Sequence, residues 1–149
     1  MTEPRDLAVQ ALYEADRRGL EALAPNADLP AKANRLAEGV LAHLAELDES
    51  IDRVSERWRV ARMPVVDRAV LRLGLYELRY ERGTPAAVVL SEAVRLAKAY
   101  STERSGAFVN GVLATLATEE RGVEGSRLSP VDPREPGPDR PREPPPGSR

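Results

Sequence analysis

Apolar residues recur every three or four positions along nearly all of residues 4–121, the rhythm of amphipathic helices. Ala8, Ala11, Leu12 and Ala15 form a first stripe, narrow enough for another helix to approach closely. Pro4 suits the first turn of that helix and Gly19 its end. After a loop at Ala24-Pro25-Asn26-Ala27-Asp28, a second stripe begins near Pro30 and uses Ala33, Leu36, Ala37, Val40, Leu44 and Leu47. The same rhythm runs on through Ile51, Val54 and Trp58, which predicts two consecutive helices with a bend near Leu47-Asp48, Asp48 being a suitable cap.

The next helix is predicted from Pro64 to about Arg82, stopped by Gly83-Thr84-Pro85. Val66, Ala69, Val70, Leu73, Tyr76 and Tyr80 share one face at 100° per residue, while Leu71, Leu75 and Leu78 form a second apolar strip. A helix apolar on two sides belongs in the middle of a domain. A line of Arg68, Arg72 and Arg79 separates the strips, and Glu77 projects from the main apolar face, where a carboxylate needs a partner. Pro85 opens a further helix with Val89, Leu90, Ala93, Val94, Ala97 and Tyr100 inward and Ser91, Glu92, Arg95 and Lys98 outward. The last helix follows Ser105, with Phe108, Val112, Leu113 and Leu116 on its apolar side. No strand pattern interrupts the series, so an all-α fold of about six or seven helices is expected.

Composition changes at Gly122. Residues 122–149 hold eight of the thirteen prolines and almost no large apolar side chain, so 1–121 is expected to be the helical domain and 122–149 a disordered Pro-rich tail. A Pro130-Val131-Asp132-Pro133 ligand motif is the alternative use of that tail. The net charge of -2 means that any basic binding site must be local. There is no cysteine, which removes disulfides, thiol nucleophiles and thiolate metal sites. No run is apolar enough to span a membrane, and the N-terminus lacks a signal peptide's apolar core, so a cytoplasmic protein is expected. The single histidine, His43, has no metal-ligand or catalytic pattern around it, and no Gly-rich phosphate loop exists. The expectation is binding without catalysis and without a cofactor or metal.

Four segments then carry a resemblance. They are Arg5-Asp6-Leu7-Ala8-Val9-Gln10-Ala11-Leu12-Tyr13; Val66-Asp67-Arg68-Ala69-Val70-Leu71-Arg72-Leu73 with Tyr76-Glu77-Leu78; Pro85, Val88 and Val89 with Ser91-Glu92-Ala93-Val94-Arg95-Leu96-Ala97-Lys98; and Ser105 with Phe108-Val109-Asn110-Gly111-Val112-Leu113. In this order and spacing they resemble the NusB family of bacterial transcription antitermination factors, over most of residues 5–117. The resemblance implies two packed helical bundles. It implies binding of the single-stranded boxA element of ribosomal RNA leaders together with the small-subunit ribosomal protein that acts as NusE. It places the pair with other Nus factors on RNA polymerase, where premature termination is suppressed.

By the same resemblance, Arg5 and Gln10 match an RNA-facing first helix, and Ser105, Phe108 and Asn110 match the RNA-facing start of the last. Asp67 matches an acid facing the ribosomal protein and is expected on an exposed rim, with Tyr13 and Arg72 supporting that junction. Each also has a plainer reading: Arg5 and Asp67 as ordinary first-turn charges, Phe108 as core, Asn110 as a buried hydrogen-bonding group, Tyr13 and Arg72 as packing. Glu77 reads as structural. Two departures stand out. Only Met1 to Pro4 precede Arg5, where the family has several arginines, which implies weaker RNA binding or a start further upstream. Arg104 stands where the family often has an acid, which removes a repulsion of phosphate. Two alternatives stay open: an interaction bundle that has lost RNA binding, and a module like the N-terminal region of ribosomal RNA cytosine methyltransferases. An exposed stripe could also serve a homodimer.

Overall fold

The computed structural model describes residues 3–19, 22–23 and 28–122. The Pro-rich tail expected beyond Gly122 and most of the loop at 24–28 lie outside the described residues. Six α-helices follow one another: α1 Pro4–Arg17, α2 Ala31–Ala42, α3 Leu44–Val54, α4 Val65–Tyr80, α5 Ala86–Tyr100 and α6 Glu103–Arg121. A 3₁₀ turn, Val60–Arg62, precedes α4. No strand occurs among the described residues.

α4 is the axis. It packs against each of the other five helices, with α1 and α2 to one side, α5 and α6 to the other, and α3 bridging α4 and α6. Every residue from Ala69 to Leu78 is buried, which is why both of its strips are apolar. Leu71, Leu75 and Leu78 are fully enclosed, and the buried apolar side chains of all six helices form one continuous core.

The arginine line on α4 does not face solvent as a basic patch. Arg68 donates to both carboxylate oxygens of Asp16 on α1, at 2.6 and 2.7 Å. Arg72 donates to both oxygens of Asp48 on α3, at 2.7 and 2.9 Å. Arg79 reaches Glu46 on α3 at 3.0 Å and Glu120 on α6 at 2.7 Å. Bidentate guanidinium pairs fix orientation as well as distance. The line therefore clasps α1, α3 and α6 to the central helix.

Three sequence expectations need correction. The break after α2 falls at His43, four residues before the expected bend. The His43 ring lies 2.9 Å through Nδ1 from the Gly39 carbonyl and stacks on Tyr80 with centroids 4.2 Å apart. It thus occupies an acceptor that the next helical turn would use. The Tyr76 ring fills the space where a side chain on Gly39 would stand, which lets α2 approach α4 closely. Second, α3 ends at Val54, so Trp58 lies outside any helix and is 44% exposed rather than core. Ser55 ends the rhythm by donating its hydroxyl to the Trp58 carbonyl at 2.7 Å. Third, Tyr80 and Tyr100 stand at the open ends of their helices, with hydroxyls on Glu46 and Asp6.

Candidate nucleic-acid interface

α6 starts earlier than its apolar stripe suggests. Thr102 is the N-cap, its hydroxyl oxygen accepting from the Ser105 N–H at 3.0 Å. Arg104 and Ser105 are therefore inside the first turn rather than ahead of it. Ser105 is buried and donates its hydroxyl to Asp67 at 2.9 Å, tying the start of α6 to the first turn of α4. The second Asp67 carboxylate oxygen is buried with no protein hydrogen-bond partner.

Arg104 points outward and forms no ion pair among the described residues. A cation in the first turn opposes the helix dipole, which favours negative charge there. Helix stability therefore does not account for Arg104. One turn further on, Phe108 is half-buried, and its ring meets the Trp58 ring at a centroid distance of 5.4 Å and an interplanar angle of 53°. Asn110 is buried, with its side-chain oxygen unpartnered, and it points into the domain rather than to the surface.

At the start of α1, Arg5 is committed to Glu77. Two hydrogen bonds of 2.9 and 2.8 Å join them, and the side chains are 12% and 3% exposed. The hydrogen bonding to Glu77 raises the Arg5 pKa above the ordinary guanidinium value. This is the partner that the buried Glu77 required. The pair leaves Nη1 as the guanidinium nitrogen without a hydrogen bond among the described residues.

Asp6 is buried beside it and receives Arg95 at 2.7 and 3.2 Å and the Tyr100 hydroxyl at 2.7 Å. Hydrogen bonding from Arg95, and after it from Tyr100, holds the Asp6 carboxyl below its usual range. The same bond raises the Tyr100 hydroxyl, an effect that hydrogen bonding from Gln10 partly opposes. Gln10 itself is exposed. Tyr100 is the last residue of α5, two residues before the Thr102 cap of α6. α1 is thereby tied to the end of α5, just before α6 begins.

A depressed carboxylate contributes stability above the unfolded pKa of about 3.9, and loses it as pH falls through the folded value. Asp6→Asn is therefore expected to be less stable than the parent at pH 7. The gap should close as pH drops below the ordinary carboxylate range. Urea unfolding of both proteins between pH 7 and 2.5 measures it; a gap that stays constant would show that Asp6 titrates normally.

The three residues assigned to the protein partner do not make a surface cluster. Asp67 is 1% exposed and Arg72 is 5% exposed, so the exposed rim expected for Asp67 is corrected to a buried bracket under α6. The cause is local: α4 begins under the α5–α6 junction, and Ser105 covers the Asp67 carboxylate. Tyr13 is half-buried, with the Arg17 guanidinium 5.8 Å above its ring.

Among the described residues, no group of three histidine or acidic side chains is placed to hold a metal. No helix there is long and apolar enough to cross a membrane.

Comparison with known proteins fits this arrangement. The model of the NusB family matches residues 2–118. This chain belongs to the NusB family. A relative from Acidothermus cellulolyticus, the transcription antitermination protein NusB, is 44% identical over 133 residues, covering 84% of this chain and 92% of that protein. The protein of the same name from Saccharopolyspora erythraea is 48% identical over 123 residues, covering 76% and 83%. Among solved structures, T. maritima NusB matches with a TM-score of 0.70 at 37% identity, covering 85% of this chain and 99% of that one. A structure of the antitermination factors NusB and NusE in complex with double-stranded RNA matches with a TM-score of 0.68 at 30% identity, covering 78% and 94%. The six-helix arrangement around α4 is thus the family's fold.

Proposed function

We propose that this chain is a transcription antitermination factor. It binds the boxA element of ribosomal RNA leader transcripts together with the small-subunit ribosomal protein NusE. It works with other Nus factors on RNA polymerase, in the cytoplasm and without catalysing a reaction. The observation that carries the reading is the start of α6: Arg104, exposed and without an ion pair among the described residues, on a first turn braced from below by Thr102, Ser105 and Asp67. A braced helix N-terminus with a free cation suits phosphate. Single-stranded RNA is recognised by such backbone contacts together with stacking on aromatic side chains, and needs no catalytic group. Relatives matched over 92% and 83% of their own length bear the antitermination name, which favours this reading over a methyltransferase module.

The partner is expected to strengthen RNA binding, because two incomplete surfaces on one strand gain effective concentration. Titration of labelled boxA RNA with the chain alone, with NusE alone and with both tests the function. Equal affinity with and without NusE, or indifference to scrambling boxA, would count against it.

Arg104→Glu separates binding from folding. The new carboxylate suits the helix dipole, so thermal stability should hold or rise by about 0.3–1 kcal/mol. RNA affinity should fall, and the slope of log K against log salt should shrink by roughly one unit if one phosphate contact is lost. NusE binding should be unchanged. An unaltered salt slope would remove Arg104 from the RNA edge.

A further inference from the structure

Trp58 is the chain's one tryptophan, and it is 44% exposed. A large aromatic ring is normally worth burying. Here it is held outside on a loop that is fastened at several points. The Ser55 hydroxyl donates to its carbonyl at 2.7 Å, and the Val60 N–H donates to Asp52 at 2.7 Å. Arg68 donates to the carbonyls of Val60 and Ala61 at 3.4 and 3.3 Å. Val60 and Met63 are buried and anchor the far side. The loop spends these contacts on presenting the ring rather than hiding it.

The surroundings of the ring are mainly basic. Arg59 adjoins it, with a side chain 72% exposed that reaches Asp52 only at 3.6 Å. Arg62, exposed on the 3₁₀ turn, forms no ion pair among the described residues. Phe108 backs the ring, and Arg104 stands one turn before Phe108 on α6. Glu56, two positions before Trp58, and Glu103, next to Arg104, are exposed acids. An exposed aromatic ring with Arg59 next to it in the chain, and Arg104 one helical turn from the Phe108 that backs it, matches an unpaired base and its adjacent phosphates. It does not match a basic ribosomal protein.

We propose that Trp58, backed by Phe108, is a stacking platform for an unpaired nucleotide of the bound RNA, next to the segment held at the start of α6. This rests on the RNA-binding function proposed above and extends its edge from α6 to the loop between α3 and α4. Arg59 and Arg104 take the flanking phosphates. The platform selects single-stranded over duplex RNA, because a paired base has no free face to offer.

The test uses the full chain carrying 5-fluorotryptophan, in complex with unlabelled NusE. The single ¹⁹F resonance is expected to shift on adding single-stranded boxA RNA, and to stay put with the same sequence as a duplex. Trp58→Ala should weaken single-strand binding roughly 5- to 150-fold, the range a lost base stack produces. Trp58→Phe should recover most of the affinity, and neither change should alter the salt slope. If the wild-type complex binds RNA while the resonance stays unmoved, or Trp58→Ala binds as tightly as the parent, the platform is overturned and the proposed function stands. A resonance that moves with NusE and no further with RNA assigns Trp58 to the protein interface and also overturns it. If the wild-type complex binds no RNA, the proposed function falls, and the platform with it. Should Trp58→Ala fail to fold, Trp58→Phe and the resonance shift decide.

Discussion

Arg5→Ala should cost the domain about 3–5 kcal/mol, the typical price of leaving a buried charge without its partner. The Glu77 side chain is 3% exposed on the central helix, and Arg5 meets both of its oxygens. Arg5 lies in a crease whose other walls include Val70, Leu73, Val89, Ala93 and Leu96, so water cannot easily replace it. A loss of that size is a large part of a typical domain's total stability. Urea unfolding followed by circular dichroism measures it. The double variant Arg5→Met, Glu77→Leu should recover most of the loss, because it removes the stranded carboxylate and fills the crease. The same double variant isolates the RNA question. If it folds and still binds RNA with NusE as the parent does, Arg5 is a strut of the α1–α4 junction. If affinity falls in the folded double variant, Arg5 has a part in RNA binding beyond that junction. An Arg5→Ala protein as stable as the parent would show that Glu77 is solvated after all.

The helices were largely legible in the sequence, because amphipathic rhythm reports burial directly. α4 is the clearest case: two apolar strips on one segment forced a central position, and Glu77 on the larger strip demanded a cation. Which cation was not legible, since Arg5 is 72 positions away in the chain. The arginine line was visible too, but its neutralisation by Asp16, Asp48, Glu46 and Glu120 depends on helix packing that spacing does not encode. Trp58 misled for a different reason. It falls in phase with Ile51 and Val54, so periodicity absorbs it into a helix. The flanking Arg57 and Arg59 do not decide the matter, because neighbours in the chain point about 100° apart on a helix. At the start of α6, the apolar stripe begins at Phe108, but the cap is Thr102. A cap is set by a side-chain oxygen meeting a backbone N–H, and apolar phase says nothing about where that occurs. The resemblance pointed to Ser105, Phe108 and Asn110 at the start of α6; it did not distinguish exposed Arg104 from buried Asn110 and Asp67.

Asp67→Lys should be strongly destabilising, by about 3 kcal/mol or more, where the same change at an exposed rim would cost less than about 0.5 kcal/mol. Three effects add. Asp67 is 1% exposed, so an ammonium there loses its hydration without gaining a counter-ion. It sits in the first turn of α4, where the dipole favours a negative group and opposes a positive one. It also accepts the Ser105 hydroxyl at 2.9 Å, and lysine has no acceptor to offer in return. Asp67→Asn removes the charge alone: the amide oxygen can still accept from Ser105 and no ammonium is buried, so of the three effects only the dipole interaction is lost, about 1 kcal/mol. Chemical unfolding of the two variants gives the ranking, and RNA titration gives the consequence. In Asp67→Asn the start of α6 remains tethered, so RNA affinity with NusE should stay near the parent's. In Asp67→Ala the tie from the Ser105 hydroxyl to α4 is lost, and RNA affinity should fall even at temperatures where the domain is fully folded, because the first turn of α6 is no longer fastened to α4. Asp67 would then act on RNA as a positioning residue, through Ser105, without touching it. A stable, folded Asp67→Lys protein that loses only NusE would reverse this: the side chain would have to reach the surface, and the ribosomal protein would dock directly on the first turn of α4.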